Sequence, residues 1–160
     1  MQVYNLAQTR SEVLAEAQKE TDKIFRAAGV EILWQECPCS GVSASTSLMI
    51  RIIPQLFRSA RARFHNGHLG FAATGKEGGV LATIFLDRVE AITKGGNPSR
   101  VLGYAMAHEI SHLLLGQNAH SATGLMRAYW SREDLKMAHR GTYAVHAPAG
   151  RAHTQPLVSG

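Results

Sequence analysis

Residues 108–112 read His-Glu-Ile-Ser-His. Two histidines four apart lie on one face of an α-helix, one turn above each other. Both can turn a ring nitrogen toward a single metal ion, and neutral imidazole is a good Zn²⁺ ligand. Glu109, beside the first histidine, can reach a water bound to that ion and take its proton. The chemistry this spacing supports is metal-assisted hydrolysis, with His108 and His112 as ligands and Glu109 as general base. The plain alternative is a pair of satisfied core histidines on one helix face.

The surrounding residues argue for a helix that can hold such a site. Asn97-Pro98 reads as a side-chain cap followed by proline at the first helical position. Val101, Leu102, Ala105, Ile110, Leu113 and Leu114 recur at helical spacing, and Gly116 reads as the stop. A catalytic zinc takes three protein ligands and keeps one position open. A chain turning back at Gly116 can present His120 as the third ligand. Glu133 or Asp134, on the next expected helix, are the rivals for that position.

In this order His108, Glu109, His112, Gly116, His120 and Met126 resemble the metzincin-like zinc metallopeptidases, whose signature is HExxHxxGxxH followed by a Met-turn. In that signature each gap flanking the glycine is one residue shorter than here. The family's third-ligand position falls on Asn118, a poor zinc ligand, so the resemblance is to a divergent or separate group. It implies one catalytic Zn²⁺, a peptide or protein substrate, and Met126 as a packed floor beneath the metal. It also makes Tyr129 a candidate for oxyanion support, against a simple packing role beside Trp130. The family carries a short strand at the sheet edge above the metal, to which substrate adds as an antiparallel strand. By resemblance that strand is Leu69, Gly70, Phe71, Ala72 and Ala73. A free strand edge offers unpaired N–H and C=O groups to any extended chain.

The rest of the chain must supply a scaffold. At 160 residues, with 45 % hydrophobic and 18 % charged content, it fits one ordinary soluble globular domain. The net charge of +5 is mild. No stripe of Lys/Arg interleaved with aromatics appears, so no nucleic-acid partner is expected. No apolar run approaches the roughly 18 residues of a membrane span, and a monomer is expected. The N-terminus lacks a basic region followed by an apolar stretch. That leaves a secreted protein whose signal has been removed, or a cytoplasmic one, with the first preferred. Cys37 and Cys39 flank Pro38. They lack partners at zinc-finger spacing and read as free or locally oxidised thiols at a turn.

Taken in order, about 5–28 reads as an amphipathic helix through Leu6, Val13, Leu14, Ala17, Ile24 and Phe25. Val30–Cys37 and Ser47–Ile53 read as strands, the second ended by Pro54. About 54–64 is open between a short helix and a basic loop. His65-Asn66-Gly67-His68 is a turn whose histidines have no acidic or cysteine companions, so they read as loop residues. Leu69–Ala73 is a short strand, 74–79 a glycine-rich loop and Val80–Leu86 a buried strand. Ser131 caps a last helix with acids in its first turn. Residues 1–146 form the expected domain and 147–160 a flexible tail.

The order of elements gives an α+β fold. The resemblance refines it to a zincin-like one: a twisted, mostly parallel four-stranded sheet with an antiparallel edge strand, a backing helix, the HExxH helix and a C-terminal helix. The expected function is zinc-dependent endopeptidase activity. A zinc domain kept for stability or sensing is the alternative, and a DNA-associated regulator a more distant one.

Overall fold

The computed structural model describes residues 1–37, 48–57, 67–75, 78–116 and 119–140. In chain order the elements are β1 (Gln2–Asn5), α1 (Ser11–Ala27), β2 (Gln35–Cys37), β3 (Met49–Ile53), β4 (Gly70–Gly75), β5 (Gly78–Phe85), α2 (Leu86–Thr93), α3 (Ser99–Leu115) and α4 (Arg132–Arg140). The fold is α+β. Among the described residues it has four helices and one five-stranded sheet, ordered β2-β1-β3-β5-β4. Every neighbouring pair is parallel except β4 on β5, which is antiparallel and leaves β4 at the edge. None of the described helices is long and apolar enough to cross a membrane.

The sheet has five strands where the sequence suggested four. The extra one is β1, which inserts between β2 and β3. The helix expected from residue 5 begins instead at Ser11. Asn5 accounts for the delay. Its Nδ2 donates to the Thr9 carbonyl at 2.8 Å, and its Oδ1 accepts from the Thr9 N–H at 2.9 Å, closing a turn between β1 and α1. Leu6, placed on the helix stripe by spacing, is exposed in that turn. β2 is shorter than expected, since only Gln35–Cys37 pairs with β1, while Val30 and Leu33 face solvent. The glycine-rich loop is also shorter: β4 and β5 continue their pairing to Gly75↔Gly78, past an irregularity at Ala73/Thr74. Leu86 opens a helix, α2, that periodicity did not reveal because it follows the strand without a break.

Cys37 is disulfide-bonded. Cys39, His65, most of the ambiguous basic stretch, Asn118 and the expected tail lie outside the described residues.

The core forms between one sheet face and the helices. Val3, Ile50, Ile52, Ala82 and Ile84 point into it, at the every-second-residue spacing of a strand. Helix α1 contributes Val13, Leu14, Ala17, Ile24 and Phe25. Buried Thr21 donates its hydroxyl to the carbonyls of Ala17, at 2.9 Å, and Gly103, at 3.0 Å, so its one polar atom is satisfied across the α1–α3 contact. Helix α3 is buried nearly all round, with Val101 to Ala107 and Glu109 to Leu113 inside. A helix apolar on every side belongs in the middle of a fold rather than on its surface. Its start is fixed as the sequence suggested: Pro98 is already helical, and Asn97 Oδ1 accepts from the Ser99 N–H at 3.0 Å. Asn97 Nδ2 also donates to Glu16 Oε2 at 3.0 Å, tying this end of α3 to α1.

Candidate metal centre

Helix α3 places His108 and His112 one turn apart, and both rings turn to the same point. Their Nε2 atoms lie 3.2 Å apart. His120 returns from beyond the helix end and brings its Nε2 to 3.1 Å from that of His112. Tetrahedral zinc with Zn–N bonds of about 2.0–2.1 Å would set its ligand nitrogens roughly 3.3 Å apart. These two separations are therefore close to the edges of such a tetrahedron. The three histidines can hold a metal ion.

The backbone decides which nitrogen of each ring faces inward. His108 Nδ1 lies 2.8 Å from the Leu125 carbonyl, and His112 Nδ1 lies 3.1 Å from the Gly116 carbonyl. A carbonyl only accepts, so both Nδ1 atoms carry the hydrogen and both Nε2 atoms keep a lone pair for an ion. Burial, and secondarily the neighbouring histidines, hold His108 down to about 4, against a partly offsetting bond to Leu125. His120 is lowered for the same leading reason. At neutral pH His108 is thus in the ligating form.

Two local devices bring His120 back. Gly116 ends α3 at φ 91° and ψ 171°, a region that side chains other than glycine's rarely enter. Its carbonyl accepts from both His112 Nδ1 and the Ala119 N–H, the latter at 3.3 Å. The loop that follows is then closed on itself: Ser121 N–H donates to the Met126 carbonyl at 2.8 Å, and Arg127 N–H donates to that of Gly124 at 3.1 Å. Met126 is fully buried in the main core. Leu125, just before it, offers one carbonyl to two donors, His108 Nδ1 and Trp130 Nε1, the latter at 3.2 Å. No side-chain pattern in the sequence marks that carbonyl.

Glu109 is 6 % exposed and lines, with His108, a cleft of about 30 Å³. That is space for an ordered water, which needs roughly 10–15 Å³. Burial alone raises the Glu109 carboxyl to about 8. Gly70 packs directly above it: a Cβ there would stand 3.0 Å from Glu109 Cγ and would collide with the Thr83 carbonyl. The edge strand β4 thus leaves no room for a side chain between Gly70 and the acid. Of the other strand residues singled out, Leu69 is buried and Phe71 and Ala72 are half-buried.

The rival ligands lie elsewhere. Glu133 is exposed and pairs with Lys136 at 3.4 Å. Asp134 accepts from Ser131 N–H and Oγ–H, each at 2.7 Å, and from Arg127 Nη1 at 2.8 Å. Ser131 Oγ in turn accepts from the Asp134 N–H at 3.2 Å, a reciprocal cap that starts α4. Burial opposes ionisation of Asp134, yet these donors hold its carboxyl below the ordinary range. Tyr129 is exposed and meets the ring of His68 edge-on, with centroids 5.4 Å apart. His68, read from sequence as a loop residue, lines the Glu109 cleft.

The two shifted groups make the metal-free protein sensitive to pH in a defined way. Glu109 sits above its ordinary 4.5, so its contribution is complete below about 4.5 and is lost as pH rises through about 8. The loss is on the order of 5 kcal/mol. His108 sits below its ordinary 6.5, so its contribution is complete above about 6.5 and is lost as pH falls through about 4. EDTA-treated protein is therefore expected to melt at a lower temperature at pH 9 than at pH 6. Glu109→Gln removes the ionisable acid and should flatten that decline. A parallel decline in wild type and variant would assign it to other groups.

Comparison with protein-family models, with curated proteins and with solved structures finds no match for this chain.

Proposed function

We propose that this chain is a zinc-dependent endopeptidase of zincin-like fold, with a metzincin-like but divergent motif. One observation carries the reading. Ring nitrogens of His108, His112 and His120 lie within 4.8 Å of one another, two of the separations matching the edge of a zinc tetrahedron, and an acid lines the adjoining cleft beside an antiparallel edge strand. Three neutral imidazoles suit zinc, and three protein ligands leave a position open for chemistry. Among the described residues no fourth ligating side chain joins the group. A closed structural site would need one, which is why catalysis is preferred to a purely stabilising role.

Zinc bound here would polarise the scissile carbonyl and bring the pKa of a bound water toward 7. The protein's own part is to position and move protons. Leu125 and Gly116 fix the rings of His108 and His112 in the ligating tautomer. A dication beside Glu109 favours its ionised form, reversing the effect of burial. Glu109 then takes the proton from the attacking water and delivers it to the departing amine. β4, the sheet's edge among the described residues, would pair with an extended peptide, and Gly70 keeps β4 close over the acid. The proposed partner is accordingly a peptide or unfolded protein segment.

The test is cleavage of casein and of a fluorogenic peptide mixture by zinc-loaded protein. Activity should vanish with a chelator and return with zinc. Stoichiometric zinc without cleavage of any peptide would leave the stabilising role as the better account.

A further inference from the structure

We propose that His68 is a further catalytic residue, donating a ring N–H to the oxygen that gains negative charge on the scissile carbonyl. The inference rests on the peptidase reading above. His68 stands outside the three-histidine group but lines the same cleft as Gly70, Arg127, Ala128, His108 and Glu109. It comes two residues before Gly70, where a Cβ would meet the Thr83 carbonyl and then Glu109 Cγ and Ile84 Cδ1. His68 precedes β4, and its place beside Glu109 is given by the cleft that both residues line.

His68 is held through both its backbone and its ring. Its backbone carbonyl accepts from Arg88 Nη1 at 2.7 Å, and the Arg88 guanidinium rests over the Phe85 ring at 5.0 Å. The imidazole packs edge-on against Tyr129 at 5.4 Å and 71°. A donor held in place before substrate arrives can stabilise developing charge without reorganisation. Tyr129 thereby becomes a positioning residue for His68.

The experiment uses full-length zinc-loaded protein as wild type, His68→Ala and His68→Gln, with metal content and melting temperature checked for each. Two quantities are read: kcat and KM on a peptide, and the affinity for a phosphinic peptide, whose tetrahedral oxyanion mimics the charged state. His68→Ala should lose about 10²–10³-fold in kcat with KM nearly unchanged, and a similar factor in phosphinate affinity. His68→Gln, which keeps an N–H donor, should recover part of both. Normal kcat in His68→Ala overturns the proposal. If wild type cleaves nothing, the peptidase reading fails, and phosphinate affinity then decides the role of His68: dependence on the ring supports it, and equal affinity overturns it.

Discussion

Glu109→Gln is expected to keep its zinc and lose about 10²–10⁴-fold in peptide hydrolysis, the usual worth of a positioned proton acceptor. Glutamine has the same shape, so the contact beneath Gly70 survives and the cleft keeps its form. What disappears is the ability to accept a proton. Because Glu109 is not among the ligating histidines, metal content should match wild type. The measurement is kcat/KM on a fluorogenic peptide alongside zinc by atomic absorption. Equal cleavage by the two proteins would remove Glu109 from the mechanism. Lost zinc would show instead that the carboxylate helps to hold the ion.

The second large effect concerns the ligands themselves. His112→Ala removes the nitrogen that lies close to both of the others, at 3.2 and 3.1 Å. Its zinc affinity should fall by more than the roughly 10–100-fold that losing an outer hydrogen-bond partner costs. His120→Ala should behave alike. Glu133→Ala should leave affinity unchanged, since Glu133 spends its charge on Lys136 at the surface. Competition with a chromogenic chelator reads all three. Tight zinc in His120→Ala, or loss of zinc in Glu133→Ala, would reassign the third ligand. The thermal midpoint gives an independent view, because an ion that binds only the folded chain stabilises it in proportion to the logarithm of its concentration over Kd.

Much of the scaffold was legible because it depends on local chemistry. Asn97-Pro98 starts α3 and Gly116 ends it, each through a residue type whose backbone preference is strong. The i,i+4 histidines face one point because helix geometry leaves them no choice. What escaped the sequence depends on distant partners. Gln2–Asn5 is too short to show alternation, and only its neighbours β2 and β3 make it a strand. Val30 to Trp34 forms no strand, yet its alternation still marks a face: Ile32 and Trp34 pack against the core while Glu31 and Leu33 are exposed. The orienting groups of the site are backbone carbonyls, of Leu125 and Gly116, and any residue type carries one. His68 and Gly70 enter the site only because β4 folds back along β5 over α3.

The carbonyl of Leu125 has one more consequence. It is shared by His108 and the indole of Trp130, whose rings also stand 5.9 Å apart at 89°. The protein has two tryptophans. The other, Trp34, donates to Asp22 on α1 instead. Ultraviolet emission from Trp130 should therefore change in brightness as an ion is taken up, while Trp34 gives a steady background. Filling of the site could then be followed in real time with no added dye, and a Trp34→Phe chain would carry a single built-in lamp.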